Sequence, residues 1–278
     1  MKRVELFAYP AWHSLSPAMH NAAFEFMGIE ARYTAREVSP EGLAEAVTGL
    51  RQSDALGANV TIPHKESVMA LLDSVSAEAR AVGAVNTIVR RGDSLEGHTT
   101  DVSGFLQALA DLRLDIQGRR VLVLGAGGAG RAVSYALLLA GVGELVLYNR
   151  GVERAQGLRD DFARFGEVRV VAADELSDCG PEAQLVVNAT SVGMMREGVQ
   201  VDETPFEASS LPRSGAVVDL VYRPAKTRLL REAQAAGLQT QNGLPMLVYQ
   251  GANSFSMWTG RDAPAEQMRR AAEQMLAG

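Results

Sequence analysis

Gly125-Ala126-Gly127-Gly128-Ala129-Gly130 has the residue types and the spacing that let a backbone close on a pyrophosphate. The pattern G-x-G-x-x-G follows the apolar run Val121-Leu122-Val123-Leu124 and precedes the helical run from Arg131 to Ala140, so its glycines occupy a strand-to-helix turn. Gly125, Gly127, Gly128, Ala129 and Gly130 then offer backbone N–H groups at the positive end of a helix, where a phosphate is stabilised. Asn149-Arg150 end the next strand, Glu144 to Tyr148, and lie 149 − 125 = 24 residues past the first glycine. An NAD site usually places a carboxylate there for the ribose hydroxyls. A guanidinium suits a 2′-phosphate instead, through charge-assisted hydrogen bonds, and Arg154 follows one helical turn on. The expected cofactor is NADP, with the carboxylate of Glu153 opposing that preference.

A second set of reactive types lies in the first third of the chain. Alternation over Leu56 to Ile62 sends Val60 and Ile62 to one face and Asn59 and Thr61 to the other. Polar groups thereby gather at the carboxyl end of a strand, the ligand-binding end of an open α/β sheet, and Lys65 follows at an expected helix start. Its charge opposes the helix dipole there, which hints at a role, although an exposed lysine without one is the commoner reading of the residue alone. Ser14 and Ser16 present hydroxyls where a helix N-terminus suits a carboxylate. Ser16 is also an ordinary N-cap candidate, and Ser14 an ordinary loop hydroxyl. Asp101 opens a helix after Thr99-Thr100, a place the dipole favours for any acid.

Other chemistries are excluded. His13, His20, His64 and His98 lack H-E-x-x-H spacing, and Cys179 is the only thiol, so no metal site and no internal disulfide is expected. No G-x-S-x-G element supports a serine hydrolase. With 27 basic and 33 acidic residues and no basic run, nucleic acid is not an expected partner. The start MKRVELFAYP meets Glu5 and Pro10 before any signal-like apolar core, and no run approaches the ~20 apolar residues of a membrane span. A cytoplasmic protein is expected, with no membrane partner.

These residues need strands and helices to hold them. Apolar and helical runs alternate from Val4 to Ala8, Pro17 to Met27, Leu43 to Leu50, Leu56 to Ile62, Glu66 to Leu72 and Val85 to Val89, which predicts an α/β layer with a mainly parallel sheet. Ser16-Pro17 and Ser39-Pro40 mark helix starts. The helix from Asp101 to Leu112 holds a domain boundary. A second series of strands and helices runs from Val121 to about Gln241 and includes an apolar strand from Ala216 to Val221. Two closing helices follow, near Met246 to Trp258 and Ala265 to Leu276, the latter with a stripe of Met268, Ala272 and Met275. They are expected to return to the first domain, because the nucleotide-binding unit is complete without them. The prediction is a two-domain α/β fold: 1–104 with 243–278, and a Rossmann-like unit at 105–242.

Tyr9-Pro10-Ala11-Trp12-His13-Ser14-Leu15-Ser16-Pro17 with His20-Asn21 resembles the N-terminal signature of the shikimate dehydrogenase family. Further motifs resemble that family in order: Gly57-Ala58-Asn59-Val60-Thr61-Ile62-Pro63-His64-Lys65-Glu66, Gly83-Ala84-Val85-Asn86-Thr87, Thr100-Asp101, the glycine loop, Asn149-Arg150, Asn188-Ala189-Thr190-Ser191-Val192-Gly193-Met194 and Gly243-Leu244-Pro245-Met246-Leu247-Val248. They span nearly the whole chain. The resemblance implies a substrate domain and an NADP domain, with 3-dehydroshikimate reduced to shikimate on the route to aromatic amino acids.

The resemblance implies roles as well. It makes Lys65 and Asp101 an acid/base couple beside the reacting oxygen and assigns substrate contacts to Ser14, Ser16, Asn59, Thr61, Asn86 and Gln250, with Tyr222 in support. Thr190 and Gly243 join the glycine loop, Asn149, Arg150 and Arg154 around the cofactor. Three positions depart from the family: Thr99 where Asn is expected, Ala8 for a glycine, and Gly151 for a threonine whose hydroxyl suits a 2′-phosphate. They leave as alternatives a quinate/shikimate dehydrogenase using NAD, or a non-catalytic dinucleotide-binding relative. A monomer or a homodimer is compatible with the sequence.

Overall fold

A computed structural model describes residues 1–11, 14–195 and 201–277. The chain divides into two compact units, Met1–Gly104 with Leu247–Gly278, and Phe105–Met246.

In the first unit the order is β1 (Lys2–Ala8), α1 (Ser16–Phe26), β2 (Ala31–Glu37), α2 (Leu43–Gly49), β3 (Ala55–Val60), β4 (Ser74–Val75), α3 (Ala77–Val82), β5 (Thr87–Arg91) and β6 (Ser94–His98). Then α4 (Asp101–Asp111) leads into the second unit. The sheet order is β2-β1-β3-β5-β6-β4. β1 runs parallel to β2 and β3, while β5 runs antiparallel to β3 and β6. The reason is local: α1 and α2 are crossovers that return the chain in the same sense, whereas β5 and β6 are joined by a tight hairpin at Gly92-Asp93. Phe7, Val47, Leu50, Val60, Ile88 and Leu95 form the core on one face of this sheet.

Several local expectations are corrected. Glu66 to Leu72 is not an α-helix but a short 3-10 segment, Ser67–Leu71. Lys65 therefore stands in a turn and does not open a helix. β3 stops at Val60, so the alternation ends there and Ile62 is 63% exposed instead of sharing the buried face of Val60. Ser16 is the first helical residue rather than the cap of α1, whose N-cap, Leu15, has no side-chain bond. Ser39 caps a turn at Gly42 ahead of α2 rather than the helix itself.

The second unit contains β7 (Arg120–Leu124), α5 (Gly128–Leu139), β8 (Glu144–Tyr148), α6 (Val152–Phe162), β9 (Val168–Val170), α7 (Leu176–Cys179), β10 (Leu185–Asn188), β11 (Ala216–Asp219), α8 (Arg228–Ala235) and β12 (Gln239–Asn242). Its sheet, β12-β11-β10-β7-β8-β9, is parallel throughout. Such a sheet is buried on both faces, and Val121 to Leu124, Leu145 to Leu147 and Leu185 to Val187 are all fully buried. Strand order reverses beside β7, so the crevice for a ligand opens at the carboxyl ends of β7 and β10. The apolar run from Ala216 ends as a strand at Asp219, two residues earlier than expected.

α9 (Leu244–Thr259) brings the chain back to the first unit, where α10 (Ala265–Ala277) packs on α1. Met268 and Ala272 are buried in that contact, but Met275 is 51% exposed and does not extend the stripe. Among the described residues no helix is long and apolar enough to cross a membrane.

Candidate active site

Lys65 and Asp101 meet, although 36 residues separate them: Lys65 Nζ donates to Asp101 Oδ2 at 2.5 Å. The turn after β3 carries Lys65, and its backbone carbonyl accepts the N–H of Val85, just ahead of β5. Asp101 is the first residue of α4 and follows β6 after Thr99 and Thr100. The side chains are 13% and 6% exposed, so the ion pair is largely withdrawn from water yet open on one side. Coulombic attraction is screened little in such a place, and it holds a proton donor and an acceptor as a unit.

Two amides complete the group. Asn86 Nδ2 lies 3.0 Å from Asp101 Oδ1 and 3.0 Å from Gln250 Oε1. Gln250 comes from α9, 164 residues away in sequence, and arrives because α4 presents Gly104, where a Cβ would stand 2.7 Å from the Gln250 backbone nitrogen. Asn59 sits one layer behind. Its Oδ1 accepts from Tyr33 Oη at 2.9 Å, and its Nδ2 lies 3.1 Å from the Asn86 carbonyl oxygen and 3.1 Å from Ser254 Oγ.

Ser14, Ser16 and Thr61 stand outside these hydrogen bonds among the described residues. Ser14 Oγ accepts the Ser16 N–H at 3.2 Å, Ser16 is buried, and Thr61 is half-buried past the end of β3. Trp12 and His13, which carry part of the N-terminal signature, lie outside the described residues. Thr99 is buried, and its hydroxyl has no hydrogen-bond partner among the described residues; Ala8 is buried at the end of β1.

In the second unit the glycine loop joins β7 to α5. A Cβ on Gly130 would stand 2.1 Å from the Gly125 carbonyl oxygen, so a side chain there would break the turn, whereas the space beside Gly127 is open. Gly127 is the N-cap of α5 and offers no side chain to the first-turn N–H groups. Those donors, the helix dipole and the open side of Gly127 fit a pyrophosphate. Asn149 Oδ1 accepts the Ala126 N–H at 3.1 Å and its Nδ2 donates to the Gly151 carbonyl at 2.8 Å, tying the loop to the start of α6. Arg150 and Arg154 are exposed beside that start, where a 2′-phosphate has two guanidinium groups to meet. Gly151, the N-cap of α6, supplies no capping hydroxyl. Thr190 follows β10, its hydroxyl donating to Asn188 Oδ1 at 2.7 Å. Gly243 is required by packing, since a Cβ there would meet the Leu220 carbonyl oxygen at 1.9 Å. Tyr222 is half-buried after β11.

Sequence reasoning passed over a buried carboxylate in this unit. Asp219, read as part of an apolar strand, is fully buried and accepts from Asn188 Nδ2 at 2.9 Å, the Val221 N–H at 3.1 Å and Thr227 Oγ1 at 2.6 Å. Burial pushes its carboxyl up to about 6 against the pull of those donors. Its place at the end of β11 beside the N-cap of α8 was the available signal. Among the described residues no three His, Cys, Asp or Glu side chains converge on a metal position.

Residues 6–88 match the shikimate dehydrogenase substrate binding domain, 108–219 the shikimate / quinate 5-dehydrogenase family, and 243–273 the shikimate 5'-dehydrogenase C-terminal domain. The shikimate dehydrogenase (NADP(+)) of Symbiobacterium thermophilum is 48% identical, over 98% of this chain and 94% of the relative. That of Thermococcus kodakarensis is 46% identical, over 96% and 94%. The crystal structure of shikimate 5-dehydrogenase from Thermus thermophilus in complex with NADP(H) and shikimate superposes with a TM-score of 0.88 at 44% identity, covering 99% of both chains.

Proposed function

The chain belongs to the shikimate dehydrogenase family, and on that premise we propose that Lys65 and Asp101 form the proton-transfer pair of its active site. The enzyme is an NADP-dependent dehydrogenase that reversibly reduces 3-dehydroshikimate to shikimate on the route to aromatic amino acids.

NADPH would be held by the glycine loop, Asn149, Arg150, Arg154, Thr190 and Gly243, and would supply the hydride. The chain's own side chains handle the oxygen of the substrate's C3 ketone. Lys65 Nζ donates a hydrogen bond to it, polarises the carbonyl and passes it a proton as the carbon is reduced. Asp101 accepts a hydrogen bond from Lys65 Nζ before and after the transfer. In the reverse direction the neutral amine takes the proton of the shikimate hydroxyl. Asn86 and Gln250, already bonded to one another, read the ring hydroxyls in this proposal, with Thr61 and Tyr222 in support. Ser14 and Ser16, at the positive end of α1, suit the substrate carboxylate.

The observation that carries the assignment is the 2.5 Å contact between a lysine and an aspartate that are both largely buried. A cytoplasmic location is part of the reading, supported by one buried free thiol, Cys179. The test is the initial rate of NADP reduction by shikimate, run beside quinate and NAD. Lys65→Ala is expected to lower kcat by about 10²–10⁴-fold with NADPH binding unchanged. A variant that turns over normally would remove Lys65 from the chemistry.

A further inference from the structure

Behind the Lys65–Asp101 pair lies a second layer of polar side chains. Thr87 is at its centre and fully buried. Its Oγ1 is 2.8 Å from Ser254 Oγ, 3.0 Å from Asn86 Oδ1, and 3.2 Å from both Thr100 Oγ1 and Asn59 Nδ2. Thr100 Oγ1 and Ser254 Oγ are 3.0 Å apart, which closes a triangle of hydroxyls drawn from β5, α9 and the turn before α4. Buried polar atoms on this scale are tolerated only when each is paired, and a fully paired array admits few arrangements.

The hydrogens give this array a direction. The Thr100 backbone N–H, which can only donate, lies 2.7 Å from Asn86 Oδ1, and this identifies the amide oxygen. Asn86 Nδ2 must then face Thr100 Oγ1 at 2.9 Å, Asp101 Oδ1 and Gln250 Oε1. Ser254 Oγ has one hydrogen, which goes to the Gln250 carbonyl, an oxygen that only accepts, so Thr87 is the donor across the 2.8 Å contact and shares its own hydrogen between Asn86 Oδ1 and Ser254 Oγ. Its lone pairs accept from Asn59 Nδ2, and through these bonds the Asn86 amide is tied to β3 and α9. Ser254 Oγ also reaches the Gln250 carbonyl at 3.0 Å, so the helix that supplies Gln250 is held by the same array.

We propose that Thr87 is a positioning residue: its hydroxyl holds the Asn86 amide, and through it the Asp101 carboxylate, in the orientation the proton transfer uses. It touches neither Lys65 nor Asp101 in any hydrogen bond, and it acts only through Asn86. The inference rests on the function proposed above.

Three variants of the full chain test it. Thr87→Val keeps the shape and removes the hydroxyl, Thr87→Ser keeps the hydroxyl and removes a methyl, and Ser254→Ala removes one partner. Misplacement of a reacting group by a distant change can cost up to about 100-fold, and Thr87→Val is expected to lower kcat by about 10- to 100-fold with the KM for NADP unchanged. Thr87→Ser restores most of the turnover. Both threonine variants lower Tm, so a purely structural role would slow them alike, and the kcat split is the deciding readout. Should Thr87→Val fail to fold, Ser254→Ala is expected to show the same loss of kcat in milder form. Wild-type kcat in Thr87→Val, or Thr87→Ser as slow as Thr87→Val, overturns the proposal. Failure of the parent reading looks different, because the unsubstituted chain then fails to oxidise shikimate. Crystal structures still decide the positioning role in that case: Asn86 Nδ2 leaves hydrogen-bond distance of Asp101 Oδ1 in Thr87→Val if the proposal holds, and stays at 3.0 Å if it does not.

Discussion

Gly104 and Gln250 approach each other with no side chain between them: a methyl on Gly104 would stand 2.7 Å from both the Cβ and the backbone nitrogen of Gln250. That contact sets the separation of α4 from α9 within the first unit, and with it the reach of Gln250 to Asn86. Alanine in a helix gains up to about 1 kcal/mol over glycine. Forcing a methyl against backbone costs roughly 1–3 kcal/mol, so the clash wins.

Gly104→Ala is accordingly expected to lower Tm and to raise the KM for shikimate, with the KM for NADP unchanged. Calorimetry and initial rates check this. An alanine variant more stable than its parent would show that α9 is free to shift.

Two buried groups make stability depend on pH in opposite senses. His20, fully buried and stacked on Tyr33 at 4.4 Å, has neither ring nitrogen hydrogen-bonded among the described residues, and burial lowers its pKa from 6.5 to about 3. A depressed histidine contributes stability that is complete above pH 6.5 and is lost as pH falls toward 3. Asp219, raised from 3.8 to about 6, does the reverse: its contribution is complete below pH 3.8 and is lost as pH rises through 6. Each slope reaches up to about 1.4 kcal/mol per pH unit. Relative to the parent, His20→Phe is expected to hold its Tm better on acidification, because it keeps the ring stack and forfeits no hydrogen bond. Asp219→Asn is expected to hold it better between pH 4 and pH 7 as the solution is made more alkaline. Curves of Tm against pH that run parallel to the parent's would refute either assignment.

Arg150 is exposed at the end of β8. A charge-assisted bond to phosphate is worth roughly 1.5–3 kcal/mol, and solvent brings this toward about 1 kcal/mol, or near fivefold in affinity. Arg150→Ala is expected to weaken NADPH by about that factor and leave NADH unaffected. Fluorescence titration with both cofactors measures the difference, and equal weakening of the two would separate Arg150 from the 2′-phosphate.

The nucleotide unit was legible in the sequence because its signals are local. The strand, the glycine turn and the helix at 120–139 are contiguous, and Gly130 answers to Gly125, five residues away. In the first unit the motifs were visible but their geometry was not. Lys65 was expected on a helix and stands in a turn, and Asn59 was expected to face the substrate but has its amide bonded to Tyr33, Asn86 and Ser254. Ser254 gave no signal, since a polar residue inside an apolar run has the same pattern whether it meets water or another buried polar group, and Thr87 and Asp219, visible as a motif residue and a strand end, gave no sign of their partners.

By itself, therefore, the sequence determined the two-domain α/β plan, the phosphate turn, the bias toward NADP and, through its family resemblance, the reaction. These depend on periodicity, on glycine geometry and on motif identity, all properties of neighbouring residues. Only the tertiary structure decided that Lys65 lies against Asp101, that Asn86 is held between Asp101 and Gln250, and that Thr87 and Ser254 stand behind them. Those contacts join segments from 15 to 167 residues apart, and loop closure and packing, not local preference, bring such segments together.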